Sequence, residues 1–218
     1  MHTEETKIAM IDDHSLFRRS VAQFISQNTR FAVSIQASNG KEFITKFKGA
    51  EQNERPVIVT LDANMPQMDG FETAAWLQKN APTVKVMVLT MNNSEAAIIR
   101  MIKLGVTAYL YKGIDAPELF AAIEAVDKEG IYYNDYLPKD SPTPMEPPAS
   151  LTWYSASEME RDIIRRLCSE QDVAEIAKHF KMSVKSFEAL KSALFSKFHV
   201  HSRIGLITLV LKYRFIEY

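Results

Sequence analysis

The chain has 218 residues, 46 % hydrophobic and 24 % charged, which are the proportions of an ordinary globular protein of one or two domains. Lys and Arg number 26 against 27 Asp and Glu, so the formal net charge of -1 excludes any case for nucleic acid or an acidic membrane made from overall charge. The single cysteine, Cys168, excludes an intrachain disulfide and fits a reducing compartment.

The first residues, MHTEETKIAMIDDH, meet two aspartates before any long apolar run and so lack the pattern of a secretory leader. Apolar stretches such as GLITLVL fall far short of the roughly 18 residues that a membrane span needs. A cytoplasmic protein with no membrane partner is expected.

From Lys7 onward, short β-rich runs alternate with helical patterns. KIAMI precedes VAQFI, AVSIQ precedes KEFITKF, VIVTL precedes FETAAWL, VKVMVLT precedes EAAIIRMI, and TAYLY precedes ELFAAIEAV. Strands as apolar as VIVTL and VMVL suit a parallel sheet covered on both faces, so the expected fold is a doubly wound, flavodoxin-like α/β domain with five parallel strands. Ligands bind such sheets beyond the carboxyl ends of the strands. Strand one ends in Asp12 and Asp13, strand three in Asp62, strand four in Thr90 and strand five in Lys112, so these polar groups should converge at one edge. Carboxylates gathered there repel one another unless a cation lies between them, and a hard divalent ion with oxygen ligands, Mg²⁺, is the natural one. Such an ion uses only one or two carboxylates, which leaves an aspartate free to act as a nucleophile. Pro66 and Gly70 supply turn chemistry after Asp62, with Gly70 allowing tight backbone geometry near the nucleophile.

LPKDSPTPMEPPAS, residues 137–150, carries five prolines and reads as a semi-rigid spacer between two folded units. Residues 1–149 hold 15 basic against 19 acidic side chains, and residues 150–218 hold 11 against 8, so an acidic part precedes a basic one. The boundaries expected are a first domain over 1–131, the spacer over 132–152 and a second domain over 153–218.

Beyond Ser155 the periodicity is helical. Ser157 with Glu160 and Asp172 with Glu175 fit capping boxes that open helices near 158–169 and 173–180. Ser183 can cap a third helix to about Phe198, and Ser202 a fourth to about Tyr213. The turn near Lys181 and Met182 gives a helix-turn-helix layout, whose second helix lies in a DNA major groove. On the third helix Val184, Phe187, Leu190, Leu194 and Phe198 should be buried, with Lys185, Glu188, Ala189, Ser192 and Ser196 opposite. Lys185 and Lys191 would contact phosphates, Ala189 a thymine methyl, and Glu188 a cytosine amine. A four-helix module of net positive charge can equally bind protein, and that reading stays open.

Two resemblances sharpen these expectations. IDDH at 11–14, VTLDANMPQMDG at 59–70, VLT at 88–90 and AYLYK at 108–112 resemble the receiver domain of two-component response regulators. That resemblance implies that Asp62 accepts a phosphoryl group from a sensor histidine kinase or a small phosphodonor. It further implies that Asp12, Asp13 and Asp62 hold Mg²⁺ with the backbone carbonyl of Asn64, that Thr90 and Lys112 meet the phosphoryl oxygens, and that Tyr109 changes rotamer on activation. AEIAKHFKMSVKSFEALKSALFSKFHVHSR resembles the carboxyl-terminal domain of LuxR-type regulators of the NarL/FixJ group. It implies promoter DNA as a partner, contacts from Lys185, Glu188, Ala189, Lys191, Ser192 and Arg203, and dimers formed on phosphorylation. Departures are Gly113 where many receivers have proline, a bulky Met91, and Glu188 and Leu190 where a basic residue and a histidine are usual. A phosphatase with an aspartyl-phosphate intermediate would use the same Asp, Mg²⁺ and Lys, but the residue two places after Asp62 is Asn64 and not a second acid. The expectation is a switch and not an enzyme.

Overall fold

A computed structural model of the chain describes residues 5–91, 94–132, 156–212 and 215. It divides into two compact units, one built on a sheet and one helical, and each is treated by itself. The proline-rich stretch expected as a spacer lies outside the described residues.

Along the chain the first ten elements are β1 (Thr6–Ile11), α1 (Ser15–Ile25), β2 (Phe31–Ala37), α2 (Gly40–Gly49), β3 (Ile58–Leu61), α3 (Gly70–Asn80), β4 (Lys85–Thr90), α4 (Glu95–Lys103), β5 (Ala108–Tyr111) and α5 (Ala116–Glu129), and all but Glu95–Arg100 of α4 fall in the sheet unit. The strands lie in the order β2-β1-β3-β4-β5, every pair parallel. Each crossover is a helix, which is why all five strands share one direction and end at one edge. Ile8, Met10, Ile58, Met87 and Leu89 pack on one face with Ala22 and Ile25 of α1 and Leu119, Ile123 and Val126 of α5. The alternating residues Ala9, Ile11, Val59, Leu61 and Val88 are buried as well, so the sheet is covered on both sides, as its unbroken apolar strands require. On α2 and α3, the rings of Phe43 and Phe47 meet Trp76 edge-on at 6.4 and 5.9 Å between centroids.

Helix starts follow from capping chemistry. Asn39 accepts from the Glu42 amide to open α2, and Glu42 in turn accepts from the Ser38 amide and hydroxyl. Hydrogen bonds from Lys46 and then from Ser38 hold the Glu42 carboxyl down to about 2. Asp69 and Glu72 form a capping box at α3, and Asp115 caps α5, which ends on Gly130 in the left-handed region.

The helical unit comprises α6 (Glu158–Leu167), α7 (Val173–His179), α8 (Val184–Lys197) and α9 (Arg203–Lys212). Both predicted capping boxes form, Ser157 with Glu160 and Asp172 with Glu175, and Ser183 caps α8. Between α7 and α8, Lys181 adopts φ 55° and the Met182 amide donates back to the Ala177 carbonyl at 2.9 Å, which ends α7 within one turn. Ile163, Ile164, Leu167, Ile176, Phe187, Leu194, Phe198 and Ile207 are buried together in this unit's core. Two positions differ from expectation. Val184 is 49 % exposed because it is the first residue of α8 and has no preceding turn to cover, so the buried face starts at Phe187. Leu190 is half-buried.

No helix among the described residues is long and apolar enough to cross a membrane.

Candidate functional site

The carboxyl ends of β1, β3, β4 and β5 bring the predicted polar residues to one edge of the sheet. Asp12 and Asp62 are almost fully buried, and the Lys112 ammonium reaches between them, 2.8 Å from Asp12 Oδ2 and 2.7 Å from Asp62 Oδ2. It also lies 5.0 Å from the centre of the Phe17 ring. Burial by itself lowers the Lys112 pKa, but hydrogen bonds to Asp12 and Asp62 and their charges together outweigh it and raise the pKa above the ordinary lysine value. Lys112 therefore stays charged, and one ammonium serves two buried carboxylates. Asp13, one residue on, is partly exposed at the mouth. With Asp13 the edge gathers three carboxylates around one ammonium, an excess of acid that suits a divalent cation.

Other predicted residues fall around this centre. Thr90 ends β4 fully buried, paired in register with Tyr111, and its carbonyl accepts from the Lys112 amide at 2.9 Å. Tyr109 is buried in β5. The Asn64 amide donates to Asp62 Oδ1 over a long 3.4 Å. Gly70 comes so close behind the site that a Cβ would lie 2.3 Å from the Asp62 carbonyl oxygen and 2.7 Å from Ala63 Cα. Backbone cannot yield as a side-chain tip does, so Gly70→Ala should cost about 1 to 3 kcal/mol by denaturant unfolding and slow phosphoryl uptake. At Gly113, where proline is common in receivers, a Cβ would lie 2.7 Å from Cε1 of the exposed Tyr111 ring, a side-chain neighbour that can turn away.

Sequence reasoning passed over two residues at this edge. Arg18 donates from its guanidinium to the Asp12 carbonyl and ties α1 to the end of β1. His14 directs Nδ1 toward Asp13 Oδ1 at 3.0 Å and Asp12 Oδ1 at 3.4 Å. Their signal in the sequence was spacing alone: His14 follows the aspartate pair, and Arg18 is one helical turn beyond it.

On the helical unit, Lys185, Ala189 and Ser192 are exposed along α8. Glu188 and Lys191 are paired with each other at 2.8 Å, so the charge of this face is largely balanced within the helix. Arg203 corrects the predicted set of DNA contacts. It is 6 % exposed, and its guanidinium donates to the carbonyls of Leu167, Ser169 and Gln171 at 2.7 to 2.8 Å. Ser202 starts the turn that opens α9, and this draws Arg203 inward to satisfy the main chain after α6. Three of its five donors are thus spent on main-chain carbonyls.

A profile of the response regulator receiver domain matches residues 8–124. The transcriptional regulatory protein DegU of Brevibacillus brevis is 30 % identical over 135 residues, 61 % of this chain and 54 % of DegU, so the chain aligns with about half of that relative's length. The response regulator protein VraR of Staphylococcus aureus is 24 % identical over 212 residues, 97 % of this chain and 99 % of VraR. Among solved structures, the Salmonella typhimurium response regulator RcsB superposes with a TM-score of 0.54 at 20 % identity, covering 96 % of this chain and 99 % of RcsB. The receiver domain of NarL from Mycobacterium tuberculosis gives 0.53 at 25 % identity, covering 57 % of this chain and 98 % of that domain. With its five-stranded parallel sheet, its buried Asp12, Asp62 and Lys112 and the matched profile over more than half its length, the chain belongs to the response regulator receiver family.

Proposed function

We propose that the protein is a two-component response regulator in which a sensor histidine kinase phosphorylates Asp62 and so controls dimerisation and binding to promoter DNA. The observation that carries this reading is the Lys112 ammonium held between buried Asp12 and Asp62 at a sheet edge of the receiver family. Asp62 Oδ2 is engaged by Lys112, and among the described residues Oδ1 has only the long contact from Asn64, which favours Oδ1 as the attacking oxygen. Asp12 and Asp13, with Asp62 and the Asn64 carbonyl, would hold Mg²⁺, and their carboxylate chemistry fits that ion. Bound Mg²⁺ supplies positive charge against the phosphoryl oxygens. Lys112 supplies a second positive charge, Thr90 a hydroxyl, and Tyr109 the switch that reports the modified state. Incubation with phosphoramidate and Mg²⁺ tests this: the intact mass should gain one phosphoryl group in the wild type and none in Asp62→Asn, and unchanged labelling of that variant would overturn the assignment.

The domains proposed are a receiver over 1–131, a spacer over 132–152 and a LuxR-type helix-turn-helix domain over 153–218, in a cytoplasmic protein. Lys185, Ala189, Lys191, Ser192 and Glu188 are the DNA contacts, and Arg203 is excluded by its burial. DegU bears the name of a transcriptional regulator, and one RcsB structure is a complex with DNA, which supports a DNA-binding output and a role other than catalysis. The paired Glu188 and Lys191 favour a second reading, a helical unit that binds protein. DNA affinity that falls steeply with salt excludes it, since phosphate contacts release counterions.

Met91 follows Thr90 and is 62 % exposed, large enough to narrow the approach to an aspartyl phosphate. Autodephosphorylation and uptake from small donors should both quicken in Met91→Ala, followed by the decay of labelled protein. Faster decay in the wild type would contradict this.

A further inference from the structure

We infer that His14 is a further ligand of the acid site, and that with it the site takes a transition ion such as Zn²⁺ ahead of Mg²⁺. This inference rests on the reading of Asp12, Asp13 and Asp62 as a divalent-cation site. One ligand atom from each of Asp12, Asp13, His14 and Asp62 lies within 4.8 Å of all the others. Within that group His14 Nδ1 is 3.0 Å from Asp13 Oδ1 and 3.4 Å from Asp12 Oδ1. Two ligands each about 2.1 Å from one ion are about 3.0 Å apart at a right angle and about 3.4 Å apart at the tetrahedral angle. The two distances from the imidazole nitrogen to the carboxylate oxygens thus already match edges of a coordination polyhedron.

Helix stability does not explain this histidine. His14 is the N-cap of α1 but makes no side-chain cap hydrogen bond, at a position where Asp, Asn, Ser or Thr would stabilise the helix by about 1 kcal/mol. Its main-chain amide instead donates to Asp12 Oδ1 at 2.8 Å and fixes the residue beside the acid pair. Lys112 engages Asp12 and Asp62 through Oδ2, so the Oδ1 that faces His14 is a separate lone-pair site on Asp12. The His14 side chain is 68 % exposed, which leaves an ion free to enter from solvent and makes the residue replaceable without loss of the core.

Ligand chemistry sets the choice of ion. Carboxylates alone suit Mg²⁺, whereas imidazole is a borderline donor that Zn²⁺, Ni²⁺ and Cu²⁺ bind well and Mg²⁺ poorly. Adding one nitrogen to an oxygen set therefore raises affinity for the former ions and leaves Mg²⁺ almost unaffected.

The test is calorimetric titration of the full chain with zinc chloride and, separately, magnesium chloride, in the wild type, His14→Ala and Asp13→Asn. The remaining histidines and Cys168 are common to all three proteins, so only differences between them count. Zn²⁺ should bind the wild type more tightly than Mg²⁺, and His14→Ala should lose at least about tenfold in Zn²⁺ affinity, since even outer-shell partners of metal ligands are worth that much. Its Mg²⁺ affinity should stay within about twofold, while Asp13→Asn should weaken both ions. Equal Zn²⁺ affinity in the wild type and His14→Ala, with Mg²⁺ still bound, would overturn the inference and leave the Mg²⁺ site intact. No Mg²⁺ binding in the wild type, with the zinc difference present, would overturn the Mg²⁺ reading and support the role of His14.

Discussion

Lys112→Met should destabilise the sheet unit by about 3 to 5 kcal/mol, the cost of leaving buried carboxylates without their counter-charge. The ammonium lies within 2.8 Å of both Asp12 and Asp62, each nearly inaccessible, and among the described residues no other Lys or Arg side chain is ion-paired with either carboxylate. Saturating Mg²⁺ should restore part of the loss, because a divalent ion replaces the missing positive charge, and should stabilise the variant more than the wild type. Combining Lys112→Met with Asp62→Asn removes one of the two carboxylates and should cost less than the sum of the single changes. Asp62→Asn alone should leave stability within about 1 kcal/mol of the wild type or above it, since it relieves a like-charge contact. Urea unfolding of the four proteins with and without Mg²⁺ measures each quantity. Additive effects, or no response of the variant to Mg²⁺, would contradict the shared-ammonium geometry.

Arg203→Ala should cost roughly 3 kcal/mol in the helical unit, since the carbonyls of Leu167, Ser169 and Gln171 lose a charged donor together. Arg203→Lys should recover little of it, because an ammonium lacks the planar fork that spans three acceptors. Thermal unfolding followed by circular dichroism measures the loss. At temperatures where the variant remains folded, its DNA affinity should stay within a few-fold of the wild type, whereas Lys185→Ala should weaken binding and lower its salt dependence by about one phosphate contact. A folded Arg203→Ala with strongly reduced DNA affinity would return Arg203 to the binding face.

The residues themselves explain why so much was legible beforehand. VIVTL is apolar but for one threonine and VMVL is apolar throughout, which suits a strand buried on both faces, and polar residues directly after such runs fall at a sheet edge by topology alone. Capping boxes at Ser157 and Asp172 were equally plain, because capping is local chemistry between residues three apart. What escaped is tertiary. Arg203 reads as a basic residue beside a serine cap, and only the packing of α9 shows that the carbonyls after α6 consume it. Val184 obeys the helical period of α8 but lies before its first covered turn. His14 had no sequence partner, because its contact with Asp12 and Asp13 depends on the bend from β1 into α1.

The central claim, that the state of Asp62 sets DNA binding, is tested most directly by fluorescence anisotropy. Labelled DNA from upstream of the protein's own coding sequence would be titrated with the full chain at two salt concentrations, with and without phosphoramidate and Mg²⁺, beside Asp62→Asn. Tighter, salt-sensitive binding by the phosphorylated wild type, with Asp62→Asn unresponsive, is the predicted result. Binding that is absent in both states, or that phosphoramidate strengthens equally in Asp62→Asn, would contradict it.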